Sequence, residues 1–236
     1  MKINSLLGRL FGLQIVRKGA GGGFNIYDRD YLRKVCNPKT VVDIGVAYGT
    51  PQLYEAFPAA RFLLIEPLSE YKPAIENILG KYNGVAHFTA VGAEQATIEL
   101  EVDLDNFLRS TQFKRTELTK LEGHNLETRK VEMTTLDDLL GPVEEIARPL
   151  VIKIDTEGNE LNVLKGAEQV LKVTDYVILE ASVSKRFEDS YEFSELIEFM
   201  AMSGFGLFSI LSVVHPPTEK QTRFADLLFA RNITPP

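Results

Sequence analysis

The stretch Val41-Val42-Asp43-Ile44-Gly45-Val46-Ala47-Tyr48-Gly49-Thr50 decides how this chain reads. An apolar, largely β-branched run enters a turn with glycines four apart, the pattern of a buried strand of a parallel sheet passing toward a helix. In open α/β sheets ligands bind beyond the carboxyl ends of the strands, and a glycine there lets backbone approach a ligand without a Cβ in the way. A dinucleotide-binding turn would read G-x-G-x-x-G. This one instead sets Asp43 just ahead of the first glycine, where a diphosphate is repelled and an amine or sulfonium attracted. The plainer reading, two glycines that only tighten a strand-to-helix connection, stands beside it.

Outward from this segment, β-branched runs alternate with helical patterns, the signature of βαβ units. Strands are expected at 61–66, 85–91, 150–155 and 176–181, with helices at 70–79, 160–171 and 191–203. Two further strands, 205–211 and 224–230, close the chain, joined by a polar loop holding His215-Pro216-Pro217. Between Gly92 and Arg148 the rhythm changes, and 96–102 and 129–133 read as antiparallel strands flanking a polar stretch. That segment is a β-rich insertion, and 103–130 is expected to shape a substrate pocket.

The chain has 236 residues, 44% of them hydrophobic, which suits one domain with modest appendages. Its net charge of -7 makes nucleic acid an unlikely main partner, because phosphate binding needs a basic face. No apolar run approaches the roughly 18 residues of a membrane span, so a soluble protein is expected. The single cysteine, Cys36, excludes an internal disulfide and fits a reducing, cytoplasmic setting.

Residues 1–27 carry Lys2, Arg9, Arg17 and Lys18 and no acid. Ile3, Leu6, Leu7, Leu10 and Phe11 recur at helical spacing, and the glycine run 19–23 reads as a joint before a main domain over 28–236. The stripe is expected to pack on this protein's own domain or on a second copy in a homodimer. A weak peripheral membrane contact through residues 1–18 is the alternative.

Glu66, at the tip of the second strand and twenty-three residues past Asp43, is placed to take hydrogen bonds from adjacent ribose hydroxyls. The ligand that joins ribose, adenine and a positive sulfur is S-adenosylmethionine. At the fourth parallel strand's end, Lys153-Ile154-Asp155-Thr156-Glu157-Gly158-Asn159-Glu160 puts three acids on the same rim. They can orient the methionyl part, hold a substrate hydroxyl or accept its proton; equally, Asp155 or Thr156 can cap the next helix. Glu180 is a further rim carboxylate, while His124 and His215 sit in loops and His87 within a strand. No ligand set points to a metal.

These segments together resemble the FkbM family of S-adenosylmethionine-dependent methyltransferases over about residues 40–231. The resemblance rests on Asp43-Ile44-Gly45 with Gly49, Leu64-Ile65-Glu66-Pro67, Ala90-Val91-Gly92, Thr135-Leu136-Asp137-Asp138, Lys153 to Gly158 with Glu160, Leu179-Glu180, and Asp226 to Ala230. It implies a class I methyltransferase (Rossmann-like) fold: a doubly wound, mostly parallel seven-stranded sheet with a reversed last strand. It also implies adenine near Ala90-Val91-Gly92 and methyl transfer to a hydroxyl of a sugar, glycolipid or secondary metabolite.

The candidate cofactor residues are therefore Asp43, Gly45, Tyr48, Gly49, Thr50, Glu66, Pro67, Ala90 and Val91, and the candidate bases are Asp155, Glu157 and His215. The expected partner is a small-molecule or glycan acceptor. Two rival functions are a nicotinamide-dependent sugar oxidoreductase, weakened by the absent G-x-G-x-x-G and Tyr-x-x-x-Lys, and a non-catalytic binding module, against which the retained carboxylates speak.

Overall fold

A computed structural model describes residues 25–231. The basic stripe and the glycine joint expected up to Gly23 lie outside the described residues.

Seven strands make the main sheet: β1 (Thr40–Ile44), β2 (Arg61–Ile65), β3 (Gly84–His87), β7 (Leu150–Ile154), β8 (Tyr176–Ser182), β9 (Phe205–Val214) and β10 (Phe224–Arg231). Their order is β3-β2-β1-β7-β8-β10-β9. The pairs from β3 to β8 are parallel, and only β10, the last strand in the chain, runs against its neighbours. The reversed last strand expected from the sequence is thus present. A second sheet holds β4 (Ala90–Val91), β5 (Ala96–Asp103) and β6 (Leu126–Thr134), with β5 and β6 antiparallel as the insertion pattern predicts.

Every residue of β1 and β7 is buried, which is why both read as mostly apolar runs, each broken by one charge, Asp43 and Lys153, that pair with each other. Alternate residues feed two cores. Val42, Ile44, Ile152 and Ile154 face one with α5 (Glu160–Lys165), α6 (Glu168–Val173) and α7 (Phe193–Met202). Val41 and Val151 face the other with α1 (Arg29–Val35), α2 (Pro51–Ala56) and α3 (Lys72–Leu79). Each such side chain contributes about 1.5–3 kcal/mol on burial, so the two-sided core anchors the strand tips that carry the polar residues.

Two expected elements divide. The strand expected over 85–91 breaks after His87, because β2 ends at Ile65 and Pro67, two residues on, has no N–H to extend the ladder; Ala90–Val91 pairs instead with β6. The helix expected over 160–171 splits into α5 and α6 at Gly166, where a Cβ would lie 1.9 Å from the Gly92 carbonyl oxygen. Its N-cap is Asn159 rather than Asp155 or Thr156, since the chain needs the extra turn through Gly158 at φ +102° before helical geometry begins. The Thr135–Asp138 motif serves the fold. Thr135 caps α4 (Leu136–Leu140), and the Asp137 carboxylate accepts from the Gln169 and Val170 N–H groups at the start of α6.

Candidate active site

The carboxyl ends of β1, β2, β7 and β8 surround a cleft of about 280 Å³. Its floor is the β1 turn. Gly45 adopts φ +76°, and a Cβ there would come 1.8 Å from the Asp155 carbonyl oxygen, so only glycine lets the tips of β1 and β7 close up.

Glu66 lines the cleft at the tip of β2 and is buried. One carboxylate oxygen accepts from Ala47 N–H and the other from Leu68 N–H, both at 3.0 Å. Burial nevertheless pushes its carboxyl up to about 7, outweighing the two N–H donors. Each oxygen keeps a lone pair free, which suits a vicinal diol. Apolar side chains flank it: Pro67, Leu68 and Val91 from the main body, and Ile98, Phe107 and Leu108 from the insertion. The Tyr71 ring also lines the cleft, edge-on to Tyr48, and its hydroxyl is buried without a partner.

The opposite wall is acidic. Asp155, Glu157 and Glu180 line it, and among the described residues no lysine, arginine or histidine does. The cations stand behind the wall. Arg186, buried between the rings of Phe187 and Phe224, donates to Glu157 and, at 3.2 Å, to Glu180. Burial drives the Glu157 carboxyl up to about 7 despite this guanidinium, with Asp155 adding repulsion. Glu180 is pushed well above the usual carboxylate range, by burial first and then by Asp155 and Glu157. Across from it on β10, Asp226 accepts from the Ser212 hydroxyl.

Glu157 adopts φ +49°, a conformation that costs a non-glycine residue of order 1–3 kcal/mol and that the surroundings must hold. Thr111 of the insertion donates to its carbonyl at 2.8 Å, and Ser190 donates to the Gly158 carbonyl at 2.6 Å. The insertion therefore reaches the rim and contributes Phe107, Leu108, Ser110 and Gln112 to the cleft.

Of the residues singled out in the sequence, Gly45, Glu66, Pro67, Ala90, Val91, Asp155, Glu157 and Glu180 meet in this cleft. Asp43, Tyr48, Gly49, Thr50, His124 and His215 do not line it. The Asp43 carboxylate points into the core, where it accepts from the Tyr54 hydroxyl at 2.5 Å and pairs with Lys153, so its charge is spent inside the fold. Gly49 packs against Ile78 and Tyr54, Thr50 precedes α2 without a side-chain capping bond, and Tyr48 stands 65% exposed at the rim. His215 lies in the β9–β10 loop beside Thr222. His124 bonds Asp103 at 2.9 Å, and Asp103 also accepts from the Asp105 and Asn106 N–H groups, closing the insertion. Arg186 and Tyr71 were not singled out. Arg186 belongs to no motif, and Tyr71 shows only as an aromatic residue five positions past Glu66.

A seven-stranded sheet in this order with a reversed last strand is that of the class I methyltransferases. The sequence matches the model of the methyltransferase FkbM domain over residues 43–207, more than half of the chain, and the protein belongs to that family. The cofactor that goes with this membership is S-adenosylmethionine. Among curated proteins no sequence matches.

Solved structures with a similar fold include magnesium protoporphyrin IX methyltransferase from Synechocystis PCC 6803 with bound SAM. It is 10% identical over 86% of this chain and 68% of that one, with a TM-score of 0.44. Precorrin-6y C5,15-methyltransferase from Geobacter metallireducens GS-15 is 13% identical over 86% and 85%, at 0.42. TehB from Haemophilus influenzae is 11% identical over 97% and 67%, at 0.45. The family match carries the assignment.

The cleft fits an adenosyl group. Glu66 offers free lone pairs to a diol, apolar walls flank it, and a buried hydroxyl lacks a partner.

Proposed function

We propose that this chain is an S-adenosylmethionine-dependent O-methyltransferase acting on a hydroxyl of a sugar, glycolipid or secondary metabolite in the cytoplasm. The observation that carries the reading is the division of one cleft into two halves, with Glu66 among apolar walls on one side and Asp155, Glu157 and Glu180 on the other. The bound cofactor supplies an electrophilic methyl group on a sulfonium, which leaves as a neutral thioether when an acceptor oxygen takes the methyl.

Glu66, Pro67, Ala90, Val91 and the Gly45 turn hold the adenosyl half. Asp155 and Glu157 face the acceptor. Glu157 is the first choice of base, because a carboxyl near 7 can accept a hydroxyl proton at neutral pH, a contribution typically worth 10²–10⁴-fold. Arg186 fixes its position from behind. Asp43 acts through Lys153 on the orientation of Asp155 rather than on the ligand. His215 keeps a role only if its loop moves toward the cleft. The Asp155 and Glu157 wall, with no cation in the lining, suits an uncharged acceptor better than an anionic one.

Isothermal titration of the folded protein with S-adenosylmethionine, S-adenosylhomocysteine and NAD tests the reading. Binding of the two adenosyl ligands without NAD supports it and opens an acceptor screen. Binding of NAD alone overturns it in favour of an oxidoreductase, and binding of none leaves a non-catalytic module.

A further inference from the structure

Tyr71 lies at the end of the 3-10 turn Ser69–Tyr71, five residues past Glu66, and its ring is wedged in the cleft wall. Tyr48 packs edge-on to it at 5.0 Å and Phe107 at 6.4 Å, so the ring cannot swing to find another partner without breaking aromatic contacts on two sides. The residue is 2% exposed, and among the described residues its buried hydroxyl meets no hydrogen-bond partner. A buried hydroxyl left unpaired is destabilising, and a native fold keeps one only where something offsets it.

We propose that the Tyr71 hydroxyl is a ligand anchor of the donor half of the cleft, donating a hydrogen bond to the adenosyl group that Glu66 holds. The proposal rests on the S-adenosylmethionine reading above. Glu66 can only accept while it is ionised, so it selects the hydroxyl donors of the ribose. Tyr71 supplies the complementary donor, for a ring nitrogen or a ribose oxygen. Burial and the neighbouring Glu66 charge hold the phenol above its ordinary titration range, so it stays protonated and able to donate. The aromatic packing that orients the ring comes from the glycine turn through Tyr48 and from the insertion through Phe107, which links the donor pocket to both elements.

The test is Tyr71→Phe, read by two measurements on the purified chain. Titration with S-adenosylhomocysteine should show about 3- to 10-fold weaker binding than wild type, the range of one net hydrogen bond. The thermal midpoint without ligand should be equal or higher, because the substitution removes an unpaired polar atom. Equal affinity in the two proteins overturns the proposal, and so does a lower midpoint without ligand, which would reveal an internal partner for the hydroxyl. If wild type itself binds no S-adenosylhomocysteine, the donor reading falls, and the anchor role with it. If wild type binds and Tyr71→Phe binds equally well, the anchor alone falls.

Discussion

Asp43 and Lys153 stand opposite each other on the parallel strands β1 and β7, 110 residues apart in sequence, with Nζ 3.4 Å from Oδ1. Both side chains are almost wholly buried, and Nζ also lies 3.3 Å from Asp155 Oδ2 at the rim. One ammonium thus ties a core carboxylate to a carboxylate of the cleft.

Lys153→Met is expected to cost about 3–5 kcal/mol, because it leaves the Asp43 charge buried with only the Tyr54 hydroxyl. Chemical denaturation measures it. Asp43→Asn with Lys153→Met should recover most of the loss, and a double variant no more stable than the single one would refute the pairing.

Glu66→Gln should weaken S-adenosylhomocysteine binding by roughly 10- to 100-fold, the range of hydrogen bonds to a charged acceptor. Relative to wild type, the same variant should lose less stability at pH 8 than at pH 5.5 without ligand, since the burial cost of the ionised carboxylate that it removes applies only at the higher pH. Titration calorimetry and thermal melting read the two effects.

Stability without ligand should fall as pH rises from about 5 to 8. Glu66 and Glu157 are pushed up to about 7 in the fold, above the ordinary carboxylate value, and Glu180 is also raised well above it. Groups with raised folded values bind protons more tightly in the native state, so their contribution is complete below the unfolded value and lost through about 7. Melting midpoints across this window should drop by several degrees; a flat or rising profile contradicts the assignment.

Arg186→Met should destabilise the protein more at pH 8 than at pH 5.5. At the higher pH it leaves Glu157, whose carboxyl is pushed up to about 7, ionised and without its cation, at about 3–5 kcal/mol for a broken buried pair. At the lower pH that carboxyl is mostly neutral and the loss is smaller. Equal losses at the two values would mean that Arg186 matters only through its packing on Phe187 and Phe224.

The parallel sheet and the β-rich insertion were legible in the sequence, because two-sided burial writes mostly apolar runs such as 41–44 and 150–154, and the reversed last strand was implied by the family resemblance. The splits after His87 and at Gly166 were not, since each depends on what a neighbouring segment leaves unpaired or approaches closely. Glu66, Asp155 and Glu157 were legible as site residues because they sit at strand tips, and the tips of a parallel sheet share one rim. Asp43 sits one residue short of the β1 tip, and alternation turns its side chain into the core.

Sequence alone therefore determined the sheet and the rim, which follow from local periodicity and from acids at strand ends, and the family, which its motifs resemble. Tertiary structure decided which of those acids is free to meet a ligand. It turned Asp43 inward onto Lys153, set Arg186 behind Glu157 and Glu180, and left the buried hydroxyl of Tyr71, a residue of the cleft lining, without a partner among the described residues. A charge's environment is set by side chains that arrive from distant strands, and no spacing along the chain encodes their direction.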